Sequence, residues 1–153
     1  MKVLITGGAG FIGSHLADAC VAKGYEVAIL DDLSYGKEDN LTQIRDKVAF
    51  HHGSILDPDI LAKAIDGCQV VFHMAAVSSV AESLKDPLRC HEVNATGTLA
   101  VFDAARNQGA KVVFSSSAAV YGEQRTMPVD ENMRTGPISL YGAQIGRASC
   151  RER

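Results

Sequence analysis

Three glycines recur at every third position near the start of the chain, in Thr6-Gly7-Gly8-Ala9-Gly10-Phe11-Ile12-Gly13. They follow the apolar run Val3-Leu4-Ile5, too short for a helix, and precede a stretch with helical period. Between a strand and a helix, such glycines have separable uses. One lets the chain turn tightly, one lets backbone approach a pyrophosphate, and one lets helix pack closely on strand. Unpaired N–H groups and the positive end of the helix then face the anion. The alternative is a tight turn with no ligand. Asp31, 18 residues beyond Gly13, ends a second β-rich run. A carboxylate there accepts the hydroxyls of an adenosine ribose and repels a 2′-phosphate. No arginine sits beside it, since Arg45 is the first in the chain. These residues predict dinucleotide binding with NAD as the cofactor. The alternative for Asp31-Asp32 is a solvated strand end.

Other reactive side chains are less specific on their own. Ser115-Ser116-Ser117 could be a polar exit from a strand, and Tyr141 alone would more often be a packing residue. Asp130-Glu131 reads as a solvated loop pair. The five histidines, at 15, 51, 52, 73 and 91, show no metal-ligand spacing, and no metal is expected. His73, at a strand end, reads as a packed or cofactor-adjacent residue.

The elements that position these residues follow from periodicity and punctuation. Strands are predicted at Lys2–Thr6, Glu26–Leu30, Val48–His52, Gln69–Met74 and Lys111–Ser115. Helices are predicted at Phe11–Ala22, at about Glu38–Arg45, and from Asp57-Pro58 to Ile65. A long helix is predicted from Asp86-Pro87 to about Asn107, stopped by Gly109. A Ser-rich loop precedes that long helix. Loop-like sequence runs from Tyr121 to Leu140, and Tyr141-Gly142-Ala143 looks like the start of another helix. Alternation of strand and helix implies an α/β architecture: a Rossmann-type, doubly wound parallel sheet, incomplete, with about five strands present. Without a sixth strand, Lys111–Phe114 would present an exposed apolar edge.

Composition agrees with that class. The 153 residues are 46% hydrophobic, 22% charged and 6% aromatic, with no Trp. A net charge of −3 with no basic stripe argues against nucleic acid as a partner. No apolar run is long enough for a membrane span, and no signal peptide is evident. Cys20, Cys68, Cys90 and Cys150 lie far apart with no CxxC pair, which reads as reduced thiols in a cytoplasmic protein.

The spacing Gly7-x-x-Gly10-x-x-Gly13 resembles that of the extended short-chain dehydrogenase/reductase family. His73-Met74-Ala75-Ala76, Asn94 in Val93-Asn94-Ala95-Thr96-Gly97, and Ser115-Ser116-Ser117-Ala118-Ala119-Val120-Tyr121-Gly122 are similar to further segments of that family. Tyr141 falls 24 residues after Ser117, where the family places its catalytic tyrosine. Leu30-Asp31-Asp32-Leu33-Ser34 resembles the NAD-dependent UDP-sugar 4-epimerases in particular. Dehydratases of the family carry an Asp-Glu pair where this chain has Ala118 and Ala119, so it lacks their acid and base. The alternatives that remain are a reductase or dehydratase of the same family, or a non-catalytic NAD-binding module.

The resemblance implies roles residue by residue. Gly7, Gly10, Phe11, Ile12, Gly13, Asp31, Asp32, Ser54, Ile55, Met74, Ala75, Ala76, Asn94 and Ser115 would bind NAD. Ser117 and Tyr141 would be catalytic, and with Ser78 would contact a UDP-sugar substrate. The parent protein would be a homodimer. Two departures stand out. Ser54 occupies a position where the family commonly has Asp against the adenine amino group. Position 145, four after Tyr141, holds Ile where the family has the lysine that favours the phenolate.

The closing stretch, Ile145-Gly146-Arg147-Ala148-Ser149-Cys150-Arg151-Glu152-Arg153, resembles the translation of a common sequencing adapter and has no helical apolar period. Residues 1–143 are therefore expected to be the NAD-binding part. Residues 144–153 are expected to be a non-native tail, with a C-terminal substrate domain missing and the fragment inactive. The alternative is a solvated basic terminus.

Overall fold

The computed structural model describes residues 1–149. They form two compact units, one of residues 1–75 and 97–115, the other of residues 76–96 and 116 onward.

The first unit holds a five-stranded, all-parallel sheet. Its strands are β1 (Lys2–Thr6), β2 (Glu26–Asp31), β3 (Val48–His52), β4 (Val70–His73) and β5 (Lys111–Phe114), in the order β3-β2-β1-β4-β5. The register pairs Val3 with Val27 and with Val70, Val27 with Val48, and Val70 with Lys111. The central strands are apolar without alternation because both faces are covered. Val3, Leu4, Ile5, Ile29 and Leu30 are all fully buried. Each large side chain so buried contributes about 1.5–3 kcal/mol. One core cluster gathers Val3, Ile5, Val27 and Ile29 with Ala17 and Cys20 of α1 (Phe11–Ala22) and with Leu41 and Ile44.

Local chemistry sets the other helices of this unit. In α2 (Pro58–Ile65), the Asp57 carboxylate accepts the N–H groups of Asp59 at 3.0 Å and Ile60 at 3.1 Å, with Pro58 in the first turn. The helix after residue 97 ends at Gly109, whose φ of 67° makes the left-handed cap. The direction of chain progression reverses at β1, flanked by β2 and β4. Such a switch point leaves a crevice at the strands' carboxyl ends.

The second unit carries short helices, α3 (Val80–Lys85) and α4 (Pro87–His91), a 3₁₀ turn at Ala118–Val120, and α6 (Leu140–Ser149). The long helix expected from Pro87 is interrupted. After α4 comes a π-helical segment, Glu92–Gly97, and then α5 (Thr98–Gln108), which belongs to the first unit.

Three further expectations are corrected. Residues 38–45 are not one helix but separate 3₁₀ turns at Glu38–Leu41 and Arg45–Lys47. The Ser-rich stretch contains α3, because the Ser79 hydroxyl accepts the Glu82 N–H at 3.2 Å as a cap. Residues 145–149 continue α6, in which Gln144, Ile145 and Ala148 are buried. Tyr141, Ile145 and Ala148 are spaced by four and three residues, a helical period that begins before the closing stretch and is interrupted within it by Gly146 and Arg147. Cys150 and the residues after it lie outside the described residues.

Candidate dinucleotide and active site

In the first unit the glycine-rich turn follows β1 directly. Gly7 has φ of 68°, and its N–H donates to the Leu30 carbonyl at 2.8 Å. A Cβ there would stand 2.7 Å from the Ala75 nitrogen, so only glycine allows the turn to lie against Met74-Ala75. A Cβ on Gly13 would run into the Gly7 carbonyl oxygen, so only glycine lets α1 start this close to the turn. At Gly10 a Cβ would meet just that same oxygen, at 3.2 Å, so this side of the turn is open to a ligand. Gly10 caps α1 without a side chain, and the first helical bond is Ser14 N–H to the Gly10 carbonyl at 3.0 Å. The N–H groups of Phe11, Ile12 and Gly13 thus head an uncapped helix, with the Phe11 and Ile12 side chains exposed beside them. That cradle fits a diphosphate.

Asp31, at the end of β2, is buried, and its two oxygens have different partners. Oδ2 accepts the Ala9 N–H at 2.9 Å and Oδ1 accepts the Leu33 N–H at 2.8 Å. Each oxygen retains a lone pair for a ribose hydroxyl. Asp32 is exposed and accepts the Ser34 N–H at 2.9 Å. Beyond β3, the Ser54 hydroxyl accepts the Leu56 N–H at 3.2 Å and Ile55 is buried. Among the described residues no group of His, Cys, Asp or Glu could hold a metal ion.

Beneath the turn sits His73, 1% exposed. Thr6 Oγ1 lies 2.6 Å from its Nδ1, and Thr98 Oγ1 lies 2.9 Å from its Nε2. Thr6 Oγ1 also accepts the Ala75 N–H, at 3.3 Å. The ring stacks on Phe114. Burial pushes its pKa down to about 4, so the imidazole is neutral. His73 is therefore a packed residue that ties β1, β4 and α5 together. Ser115 continues β5, its N–H donating to the His73 carbonyl at 3.2 Å.

In the second unit Asn94 is fully buried within the π-helical segment. Its Oδ1 accepts the Val77 N–H at 2.8 Å, and its Nδ2 donates to the Val77 carbonyl at 3.1 Å and to Gln144 Oε1 at 3.5 Å. Gln144 Nε2 in turn donates to the Pro87 carbonyl at 3.4 Å. Asn94 thereby anchors the segment from Ala76 to Ser78, in which the Ser78 side chain is exposed. The Ser117 hydroxyl accepts the Ala119 N–H at 3.2 Å and caps the 3₁₀ turn. Tyr141 is in the first turn of α6. A Cβ on the next residue, Gly142, would stand 2.5 Å from the Ala119 carbonyl oxygen. The helix of Tyr141 therefore rests on the turn of Ser117, which brings the two hydroxyl-bearing segments together.

Sequence reasoning missed several supporting residues. Thr6 and Thr98 flank His73, Val77 holds Asn94, and Asn40 reaches the glycine-rich turn. Only Thr6, the first residue of the glycine motif, carried a local signal. The others are partners across 17 or more residues.

Comparison with known proteins agrees with this geometry. The model of the NAD dependent epimerase/dehydratase family matches residues 3–145. The UDP-glucose 4-epimerase of Mycolicibacterium smegmatis is 40% identical over 148 residues, covering 94% of this chain and 47% of that protein. The crystal structure of a Thermotoga maritima UDP-glucose 4-epimerase with UDP-glucose superposes with a TM-score of 0.93 at 35% identity, covering 99% of this chain and 50% of the other. The Thermus thermophilus UDP-glucose 4-epimerase in complex with NAD gives a TM-score of 0.91 at 37% identity, again covering 99% and 50%. The chain spans about half the length of the relatives it matches. The cofactor of the family is NAD, and the open face at Gly10, the uncapped head of α1 and the Asp31 carboxylate fit it. With its glycine-rich turn, its five parallel strands and this match over nearly its whole length, the chain belongs to the NAD dependent epimerase/dehydratase family.

Proposed function

We propose that the chain is the cofactor-binding portion of a UDP-hexose 4-epimerase that works through a 4-keto sugar. The observation that carries this reading is the close approach of Gly142 to Ala119, which sets Tyr141 beside the turn capped by Ser117. Bound NAD supplies a hydride acceptor and donor for the sugar C4. Gly7, Gly10, Phe11, Ile12, Gly13 and Asp31 would hold it, with Asp32, Ser54 and Ile55 on the adenosine side; the family resemblance assigns Met74, Ala75, Ala76, Asn94 and Ser115 to the cofactor as well. Tyr141 takes the proton of the sugar 4-hydroxyl and returns it on the opposite course. Ser117 hydrogen-bonds the reacting oxygen and orients it, and Ser78 borders the sugar. Ala118 and Ala119 leave no carboxyl group to eliminate water, which favours epimerase over dehydratase.

A second reading rests on Ile145. It is 2% exposed in α6, four residues after Tyr141, and supplies no positive charge to favour a phenolate. Taken literally, this makes the chain an NAD-binding module without turnover. We favour instead a native lysine at 145, with residues 144–153 derived from an adapter. Either way the chain as written interconverts no UDP-glucose and UDP-galactose. Detectable epimerisation by the purified chain contradicts this. Reading the gene across codon 145 separates the two readings, since an in-frame Lys supports the enzyme and a true Ile supports the module.

A further inference from the structure

Ala9 lies inside the glycine-rich turn, fully buried, and the segment after β2 holds both of its backbone polar groups. Its N–H donates to Asp31 Oδ2 at 2.9 Å. Its carbonyl accepts two bonds, from the Lys37 N–H at 3.0 Å and from Asn40 Nδ2 at 2.8 Å. Between these contacts the loop lies flat on the turn. A Cβ at Gly36 would stand 2.8 Å from Asp31 Oδ1 and 2.9 Å from the Ala9 carbonyl carbon. Asn40 is itself anchored. Its N–H donates to the Lys37 carbonyl at 3.1 Å, and the next residue, Leu41, is fully buried in the core.

The Ala9–Gly10 peptide is planar, so fixing the Ala9 carbonyl also fixes the Gly10 N–H, which donates to the Gly7 carbonyl at 3.1 Å. Gly10 then caps α1 and sets the direction of the free N–H groups that follow. We propose that Asn40 is a positioning residue for the diphosphate of the dinucleotide: it holds the Ala9 peptide, and through it the open face of the turn, without touching the ligand. Only the amide nitrogen serves, because an oxygen facing the Ala9 carbonyl would be repelled. Asn40 bonds the carbonyl side of Ala9, while Asp31 holds its N–H, so loss of Asn40 leaves the Asp31 contact in place. The inference rests on the NAD reading above.

The test is titration of the chain with ADP-ribose and, separately, with adenosine, followed by NMR. Asn40→Asp is isosteric and places a carboxylate against the carbonyl, while Asn40→Ala removes the donor. Circular dichroism verifies the fold of each, and should the Asp variant unfold, Asn40→Leu, which has no donor, joins the Ala variant in the comparison. The expected result is ADP-ribose weakened about tenfold with adenosine changed by less than about twofold. Asp39→Ala, at the neighbouring exposed residue of the same turn, leaves both ligands unchanged. Equal weakening of both ligands, as a merely structural role would give, or an unchanged ADP-ribose affinity overturns the inference. If the wild-type chain binds neither ligand, the NAD reading fails and this inference fails with it.

Discussion

Asp31 Oδ2 accepts the N–H of Ala9 at 2.9 Å, so the carboxylate that ends β2 also holds the glycine-rich turn after β1. The same side chain accepts the N–H of Leu33, a non-glycine residue at a φ of 58°. A residue in that left-handed region costs about 1–2 kcal/mol and persists only when its surroundings hold it. Asp31 is therefore an organiser of the turn, whatever it holds in addition.

Replacing Asp31 with Ala leaves two backbone donors without their acceptor. An unsatisfied buried donor costs about 1–3 kcal/mol. We expect Asp31→Ala to lower the unfolding free energy by about 2–4 kcal/mol in urea titrations, and to weaken NAD as well. An unchanged denaturation midpoint would remove the organising role.

His73 makes stability depend on pH. Its pKa is about 4 in the folded chain because burial disfavours the charged form, against a reference of 6.5. Between these values the unfolded chain binds the extra proton. The contribution is therefore fully present above about pH 6.5 and is lost as pH falls toward 4. The loss is on the order of 3 kcal/mol. His51, also shifted down by burial and by Lys2, acts in the same direction. Urea denaturation at pH 7 and at pH 4.5 should show the drop, and His73→Asn should flatten most of it.

The glycines divide by their surroundings. Gly13→Ala forces a Cβ onto the Gly7 carbonyl and should cost about 3 kcal/mol or more. Gly24 has φ of 76° but nothing within 4 Å of a Cβ, so Gly24→Ala should cost only the conformational strain of about 1–2 kcal/mol. Thermal melts of the two variants should separate clearly. Equal melting points would mean that the turn is looser than the close approach of α1 implies.

Strand β5 forms one edge of the sheet, and Val113 on it is 49% exposed. An uncovered apolar edge invites pairing with another chain. Sedimentation velocity should show self-association of the wild-type chain, reduced in Val113→Lys. A monomeric wild type at the same concentration would contradict this.

The central strands and the phosphate turn were legible because the signals are local. Val3-Leu4-Ile5 into Gly7 is a short apolar run closed by glycine, and Asp57-Pro58 is a cap followed by its first helical residue. The cap Ser79, with Glu82 three residues later, carried the signal for α3 but lay in a stretch too polar to show a period. The π-helical segment around Asn94 had no local sign. Its geometry depends on Asn94 bonding Val77, a partner 17 positions away. The same reason hides Asn40, whose partner Ala9 lies on a different element. The helical period in Tyr141, Ile145 and Ala148 was present but was interrupted by Gly146 and Arg147.

The central claim is that this chain carries a built NAD site governed by Asp31, and calorimetric titration with NAD and NADP tests it most directly. We predict one saturable NAD site per chain, with NADP weaker by about tenfold or more, because Asp31 repels the 2′-phosphate. Absence of saturable NAD binding by the folded chain, or equal affinity for the two dinucleotides, would contradict the account.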